Sequence, residues 1–388
     1  MSATTASAGR PRNRTATAGG APGRRRNERS APGGPGGERN PGTASPSRRA
    51  SPASTLAVAA KPTADPMGAT LAGGCDSLGP VLSPAQQDVV ELLRAPDRPR
   101  PTIERDPRPG LRRRLEEALA PLAGKLDAPL FVSKAALARI AACEAHQLAE
   151  EAAPFEWSIP TARGTIAHKA IELSVHRRDA PSPLHLVDGA FARLEADPDA
   201  GSGVGSWLAT LDEAERAELR GSVNEVVGGF LELWPPLPRA WRPATEVKLR
   251  AELCDGMVIL SARSDLTLGM AQGSTAGKVL VELKTGARAP RHAEDLRYAA
   301  LLETLRCGVP PLRLALASLD SGTISVEDVT DEVLEAALRR TIAGATRLLE
   351  LRLGLRTAAI TPNPACGWCA ARTTCEGAVR WASSAEDA

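Results

Sequence analysis

The sequence lacks several features that would define whole classes of protein. Aromatic residues are scarce, and Tyr298 is the only tyrosine in the chain. No apolar run approaches the ~20 residues of a membrane-spanning helix, and nothing at the N-terminus resembles a secretory signal. We therefore expect a cytoplasmic protein without a membrane partner. The Gly-x4-Gly-Lys-Ser/Thr motif is also missing, so no helicase motif is visible.

Positive charge is concentrated at the start of the chain. Residues 1–60 hold ten Arg and two Glu, a balance of +8, so the remainder carries −6 of the net +2. Residues 1–80 are rich in Gly, Pro, Ala, Ser and Arg and have too little apolar surface to offset the entropy of ordering. We expect a disordered arm there, which either adds weak, salt-sensitive affinity for nucleic acid or serves as a solubilising tail.

The seven cysteines are better explained as metal ligands or free thiols than as disulfides, since a reducing compartment is expected. Cys366, Cys369 and Cys375 form a C-x2-C-x5-C array, which predicts a zinc site or an iron–sulfur cluster. Either group usually has a fourth ligand, and spacing alone does not identify it. The candidates are a histidine or one of four other cysteines: Cys75, Cys143, Cys254 and Cys307.

Local patterns predict helices first and strands later. Ser83 begins a Ser-Pro-x-Gln helix start, Ser133 is expected to cap a helix that carries Cys143, and a longer helix is expected over residues 212–233. The later elements are strands at 244–253, 257–268, 279–283 and 312–319 and a helix beginning at Asp295. The first three strands follow one another through short turns and predict an antiparallel meander, whereas the crossover helix implies a parallel pair.

Glu282 and Lys284 lie two residues apart on the third strand, so their side chains share one face. Such a pair can be an ordinary surface ion pair. It also suits phosphodiester chemistry, because a carboxylate can hold a hard cation and a lysine can orient a water and stabilise developing charge. Asp265, near the end of the preceding strand, can face Glu282.

His168 and Glu172 fall one turn apart on an expected helix, with Gly164 interpreted as the turn before it. A histidine held by a glutamate is common in helices, and the alternative is that His168 is a metal ligand oriented by its neighbours. The remaining histidines have no comparable setting in the sequence: His146, His176, His185 and His292.

Together these motifs resemble a known family in their order and spacing. The matched motifs are the Ser133–Leu137–Cys143 helix, Gly164-x3-His168-x3-Glu172, Asp265, Glu282-Leu283-Lys284-Thr285-Gly286, Tyr298 and the C-terminal cysteine array. This arrangement resembles the RecB-like branch of the PD-(D/E)XK nuclease superfamily, including its CRISPR-associated and helicase-linked members that contain an iron–sulfur cluster. The resemblance covers about residues 130–378.

The resemblance implies a role for each matched residue. The expected ligands of Mg²⁺ or Mn²⁺ are His168, Asp265, Glu282 and the Leu283 carbonyl. The expected catalytic residues are Asp265, Glu282, Lys284, which would orient the attacking water, and Tyr298. The expected ligands of a [4Fe–4S] cluster are Cys143, Cys366, Cys369 and Cys375, with zinc as the alternative.

The resemblance also implies an α/β fold with a restriction-endonuclease-like core, in which helices flank a mixed central β-sheet. The expected organisation is the disordered arm at 1–80, a helical lead-in at 81–130, the nuclease domain with its cysteine array at 131–378 and a tail at 379–388. The implied function is metal-dependent DNA hydrolysis by a RecB-like exonuclease in repair or recombination, with DNA and a helicase or other repair protein as partners.

Two departures from the family pattern bear on these expectations. Glu144 stands where the family often has proline after its first cluster cysteine, and Glu294 replaces the glutamine one turn before the tyrosine. Two alternatives stay open. One is a catalytically inactive DNA-binding or scaffold protein that keeps a structural iron–sulfur or zinc site, and the other is a zinc-stapled module with no nuclease role.

Overall fold

The computed structural model of the chain describes residues 81–96, 98–175, 177, 181–196, 203–287 and 289–386. The predicted disordered arm at 1–80, including Cys75, lies outside the described residues. The strands are β1 (Leu130–Ser133), β2 (Ala244–Leu253), β3 (Val258–Gly269), β4 (Lys278–Lys284), β5 (Arg313–Ser318) and β6 (Thr323–Asp328). The helices are α1 (Pro84–Arg94), α2 (Arg108–Ala123), α3 (Lys134–Ala142), α4 (Glu144–Ala152), α5 (Ile159–Val175), α6 (Pro183–Ala196), α7 (Val204–Leu208), α8 (Glu213–Leu233), α9 (Arg291–Cys307), α10 (Asp331–Arg352) and α11 (Glu376–Glu386).

The six strands form one mixed sheet in which β3 is paired on both edges. β2 runs antiparallel along one edge of β3, from Leu253 opposite Val258 to Ala244 opposite Thr267. The other edge is shared, because β1 runs parallel to residues 258–261 and β4 runs antiparallel to residues 266–269. β4 also pairs in parallel with β5, and β5 pairs antiparallel with β6.

The shared edge of β3 leaves a gap in the sheet. In the described part of the chain, residues 262–265 of β3 pair with neither β1 nor β4. β1 runs into this gap from one side and β4 from the other, so the C-terminal ends of both strands meet beside it. Backbone pairing alone therefore brings Lys134, Glu282 and Lys284 to the same place as Asp265.

Helices cover both faces of the sheet. Side chains of α1, α5, α6 and α8 pack with Val279, Val281 and Leu283 of β4 on one face. Side chains of α2, α3, α9 and α10 pack with Leu280 of β4 and with Leu314 of β5 on the other. The alternation along β4 follows from the period of two in a strand. Each fully buried leucine or valine contributes about 1.5–3 kcal/mol, so these layers hold the sheet rigidly around the gap.

The predicted α/β fold with a mixed central sheet is confirmed. The meander of β2, β3 and β4, the parallel pair of β4 and β5, and the capping of α1 by Ser83 and of α3 by Ser133 also agree with the sequence prediction. The short strands β1 and β6 were not predicted. No helix of the described residues is both long enough and apolar enough to cross a membrane.

Two local predictions were wrong. Cys143 does not lie on a helix, because α3 ends at Ala142 and Cys143 takes an extended conformation, with φ −163°, before α4 begins. Gly164 is not a turn but an interior residue of α5. The glycine has a packing reason, since a Cβ at this position would lie 3.3 Å from Thr285 Oγ1. It lets α5 approach the end of β4, one turn before His168.

Candidate active site

The gap in the sheet collects charged side chains from five different elements. They are Lys134 at the start of α3, His168 on α5, Glu246 on β2, Asp265 on β3, and Glu282 and Lys284 on β4. The predicted residues His168, Asp265, Glu282 and Lys284 are thus brought together, although 116 positions separate His168 from Lys284 in sequence. Lys134 and Glu246 join them without having been predicted.

One half of the site surrounds His168. Its Nδ1 lies 3.6 Å from Asp265 Oδ1 and 3.6 Å from Glu246 Oε1. One ligand atom from each of the three residues lies within 4.8 Å of the other two. Burial opposes the charged imidazole, but Asp265 and Glu246 together raise the pKa of His168. Glu172 does not hold His168 as one alternative supposed, because its carboxylate pairs with Lys169 at 3.0 Å.

The other half of the site surrounds Glu282, which is 2% exposed. Its Oε1 accepts hydrogen bonds from Lys134 Nζ at 2.5 Å and from Lys284 Nζ at 2.6 Å. Burial alone would raise the pKa of this carboxyl, but the two ammonium groups lower it below its usual value. Glu282 is therefore ionised, and its charge is shared by two cations.

Asp265 joins the two halves. Its Oδ2 accepts a hydrogen bond from the Leu283 N–H at 2.7 Å, and its Oδ1 faces His168. Burial and the neighbouring charge of Glu282 raise the pKa of Asp265 to about 6. A buried carboxylate in this position is electrostatically unfavourable until a cation compensates it.

The donor set fits a divalent metal ion. Carboxylate oxygens are the ligands that Mg²⁺ and Mn²⁺ prefer, and an imidazole nitrogen is also acceptable to Mn²⁺. Asp265 and Glu246 provide oxygen atoms beside His168, and the carboxylate of Glu282 lies on the adjoining strand. The Leu283 backbone lies at the site through its bond to Asp265. Its carbonyl as a ligand stays a prediction.

Tyr298 is placed differently from the other predicted catalytic residues. It is 1% exposed, and its hydroxyl donates a hydrogen bond to the Val132 carbonyl at 2.7 Å. Burial raises its pKa well above the usual value. The hydroxyl is thus committed to the end of β1. This bond connects α9 to the end of β1, which leads to Lys134, and the catalytic role of Tyr298 stays a prediction.

Three residues near the site were missed by sequence reasoning. Lys134 carries no motif of its own and reaches Glu282 only because β1 pairs with β3. Glu246 lies on a strand whose alternation was recognised, but its distance to His168 was not inferable. His292, dismissed as a histidine without a setting, is 6% exposed, and burial together with Lys284 and Arg291 lowers its pKa to about 4.

The four cysteines matched to a cluster lie where the C-terminal segment contacts the α3–α4 junction. Cys143 Sγ accepts a hydrogen bond from the Thr361 N–H at 3.4 Å, and Cys366 Sγ accepts one from the Asn363 N–H at 3.5 Å. Burial raises the pKa of the Cys369 thiol, a backbone hydrogen bond from Ala371 acts against this increase, and the carboxylate of Glu150 adds to it. Cys375 directly precedes α11.

Glu144, the residue that departs from the family pattern, has a clear structural role. Its Oε2 accepts a hydrogen bond from the Ala359 N–H at 3.0 Å, and its Oε1 lies 3.0 Å from Arg356 Nη2. Glu144, which directly follows Cys143, therefore holds the C-terminal segment in place through Arg356 and Ala359. Glu294, the other departure, pairs with Arg297 at 2.7 Å on the surface of α9.

His146 also has a setting that the sequence did not indicate. Its ligand atom lies with those of Glu150 and Cys369 within 4.8 Å of one another, beside the cysteine group. Among the described residues, no three of the cysteines approach one another this closely.

Comparison with known proteins identifies the domain. A crystal structure of a candidate exonuclease from Eubacterium rectale is similar over 64% of this chain and 87% of its own, with 11% identity and a TM-score of 0.38. The crystal structure of SSO0001 is similar over 69% of this chain and 93% of its own, with 14% identity and a TM-score of 0.29. No curated protein sequence matches. The family model of the PD-(D/E)XK nuclease superfamily matches residues 131–376, which include every residue of the site, and the chain belongs to that superfamily.

Proposed function

We propose that this protein is a Mg²⁺- or Mn²⁺-dependent deoxyribonuclease of the RecB-like type that hydrolyses phosphodiester bonds as an exonuclease. The observation that carries the proposal is the convergence of His168, Asp265, Glu282 and Lys284 from two strands and one helix on a single gap in the sheet. Membership of a nuclease superfamily supports the reaction class. DNA as substrate and a setting in repair or recombination, with a helicase or other repair protein, follow from the resemblance alone.

Each residue has a distinct task in the proposed reaction. His168, Asp265, Glu282 and the Leu283 carbonyl would hold the divalent cation. A cation bound there supplies an activated water and neutralises charge on the phosphate. Lys284 orients the attacking water and donates a hydrogen bond as charge develops on the phosphate oxygens. Lys134 keeps Glu282 ionised through the second bond to the same oxygen.

A catalytically inactive scaffold is the competing proposal, and the electrostatics of the site disfavour it. Asp265 is held in a position that raises its pKa to about 6, next to the ionised Glu282. This arrangement destabilises a metal-free protein. A scaffold would gain stability from asparagine at position 265, which keeps an acceptor for the Leu283 N–H, whereas a metal-dependent enzyme requires the carboxylate.

The direct test is a cleavage assay on the purified full chain. End-labelled single- and double-stranded DNA are incubated with Mg²⁺, with Mn²⁺ or with EDTA. We expect products with either metal and none with EDTA, and an exonuclease releases short products from one labelled end first. Intact DNA under every condition, from a folded protein that binds the metal, would reject nuclease activity.

We also propose that Cys143, Cys366, Cys369 and Cys375 hold a [4Fe–4S] cluster that clamps the C-terminal segment to the α3–α4 junction. Thiolates are the ligands that hold such clusters, and hydrogen bonds from backbone N–H groups to the sulfurs are a usual feature of them. The two N–H bonds to Cys143 and Cys366 support this proposal. Zinc in the same group is the alternative.

Replacing Cys143 with serine is expected to remove the cluster. The anaerobically purified wild-type protein should be brown and contain iron and acid-labile sulfide, whereas the variant should be colourless and unfold at a lower temperature. Cys254→Ser is the matched control, because Cys254 lies outside the group and should leave the iron content unchanged. A colourless wild-type protein with one bound zinc would favour the alternative.

A further inference from the structure

Glu246 has an unusual backbone for a residue inside a strand. Its φ is +53°, in the left-handed region that residues with a Cβ rarely occupy. The residues on either side are regularly paired, Thr245 with Leu266 and Val247 with Ser264, so Glu246 lies directly opposite Asp265. Such strained residues persist only where the surrounding structure enforces them, and they concentrate at functional sites.

From this strained position the Glu246 side chain reaches the active site. Glu246 Oε1 lies 3.6 Å from His168 Nδ1, while Oε2 lies 2.9 Å from Arg263 Nε. The Arg263 guanidinium thus binds Oε2 of Glu246, and Oε1 faces His168 and Asp265.

The two carboxylates that flank Asp265 differ in what they can offer a cation. Glu282 has one oxygen bound by the ammonium groups of both Lys134 and Lys284. Glu246 has its inner oxygen directed at His168, in the trio whose ligand atoms lie within 4.8 Å of one another. The ligand set implied by family resemblance contains no residue from β2. The position of Glu246 beside His168 and Asp265 makes it a candidate ligand from β2.

We propose that Glu246 is a ligand of the active-site divalent metal ion, together with His168 and Asp265. The proposal deepens the function proposed above and rests on it for the use of the ion in hydrolysis, although not for the binding of the ion. The strain at Glu246 is then the conformational cost of presenting a third ligand from β2, and Arg263 orients the carboxylate without entering the metal site.

Binding of Mn²⁺ alone to the full chain tests this inference. Titration calorimetry, or the decrease of the free Mn²⁺ signal in electron paramagnetic resonance, gives the affinity. We expect Glu246→Gln to weaken Mn²⁺ binding at least about tenfold, because losing even a supporting partner of a ligand costs about 10–100-fold. Glu252→Gln is the matched control on the same strand, since Glu252 is exposed and pairs with Arg250. Its affinity should equal that of the wild type.

Glu246→Gly gives a readout that a merely structural role would not produce. Glycine adopts a φ of +53° without a Cβ penalty, so the metal-free variant should unfold at the same or a higher temperature than wild type. The increase in Tm on adding Mn²⁺ should nevertheless shrink, because that increase depends on affinity. If Glu246 only supported the fold through Arg263, the metal-free Tm would fall and the Mn²⁺-induced increase would be unchanged.

The outcomes separate this inference from the proposed function. If wild type cleaves DNA and both Glu246 variants bind Mn²⁺ like wild type, the inference is wrong and the nuclease proposal stands. If Mn²⁺ binding depends on Glu246 but no DNA is cleaved, the inference stands and the nuclease proposal is rejected. A wild-type protein that binds no Mn²⁺ overturns the inference.

Discussion

Replacing Asp265 with asparagine is expected to abolish metal-dependent DNA cleavage and, at the same time, to stabilise the metal-free protein. Cleavage should fall by more than about 100-fold, since 10–100-fold is typical for losing only a supporting partner of a metal ligand. The fold should survive, because the asparagine Oδ1 can still accept the hydrogen bond from Leu283. The gain in stability follows from the removal of a buried negative charge beside Glu282.

The pH dependence of this gain has a definite sign. The pKa of Asp265 is raised to about 6 in the folded protein, above the ~3.9 of an unfolded chain. Between these values the folded state binds more protons, so the metal-free protein loses stability as pH rises through this window. The loss is complete near pH 7 and amounts to about 3 kcal/mol, or several degrees in Tm.

Thermal unfolding in EDTA at several pH values checks this prediction. The Tm of Asp265→Asn should exceed that of wild type at pH 7, and the difference should shrink as pH falls toward 4. Asp255→Asn is the control, because Asp255 is exposed in the turn of the same hairpin and should show no such pH-dependent difference. Wild-type cleavage in the Asp265 variant, or a difference that grows as pH falls, would contradict the assignment.

The part of the site on β3 and β4 could be predicted because it depends on local order. Alternation places Glu282 and Lys284 on one face, and a hairpin followed by a short link brings Asp265 beside them. His168 was left as one of two alternatives by its own motif and was placed with Asp265 only through family resemblance, because α5 lies far from β3 in sequence and must pack against the sheet. The approach is permitted by Gly164, which the sequence alone presented as a turn.

The unpredicted residues depend on long-range pairing or on unusual backbone. Lys134 reaches the site because the four-residue strand β1 pairs with β3 across more than a hundred residues. Glu246 reaches it through a left-handed conformation, which no propensity for glutamate favours. The helix break at Cys143 also depends on long-range contacts. Glu144 accepts a hydrogen bond from the Ala359 N–H, and Cys143 accepts one from the Thr361 N–H.

The two lysines on Glu282 invite a direct comparison, because only one of them fits the task of orienting water. Lys134 Nζ donates to Glu282 and also to the Arg263 carbonyl at 3.2 Å. Within the described residues, Lys284 Nζ donates to Glu282 alone. It therefore has more N–H groups than Lys134 left for a water or a phosphate oxygen. Lys284→Met should therefore lower the metal-saturated cleavage rate by about 100–1,000-fold, as expected for a lost transition-state donor.

Lys134→Met is the comparison that gives this prediction its meaning. Its main effect should be on stability, a loss of about 2 kcal/mol for a hydrogen bond to a charged group, while Lys284 still pairs with Glu282. Single-turnover cleavage at saturating Mg²⁺ separates the two variants: both should lose some Tm, because each lysine donates to Glu282, but only Lys284→Met should show the large rate loss. If the rate losses were exchanged, Lys134 would be the lysine that orients the water, and Lys284 would be the structural support of Glu282.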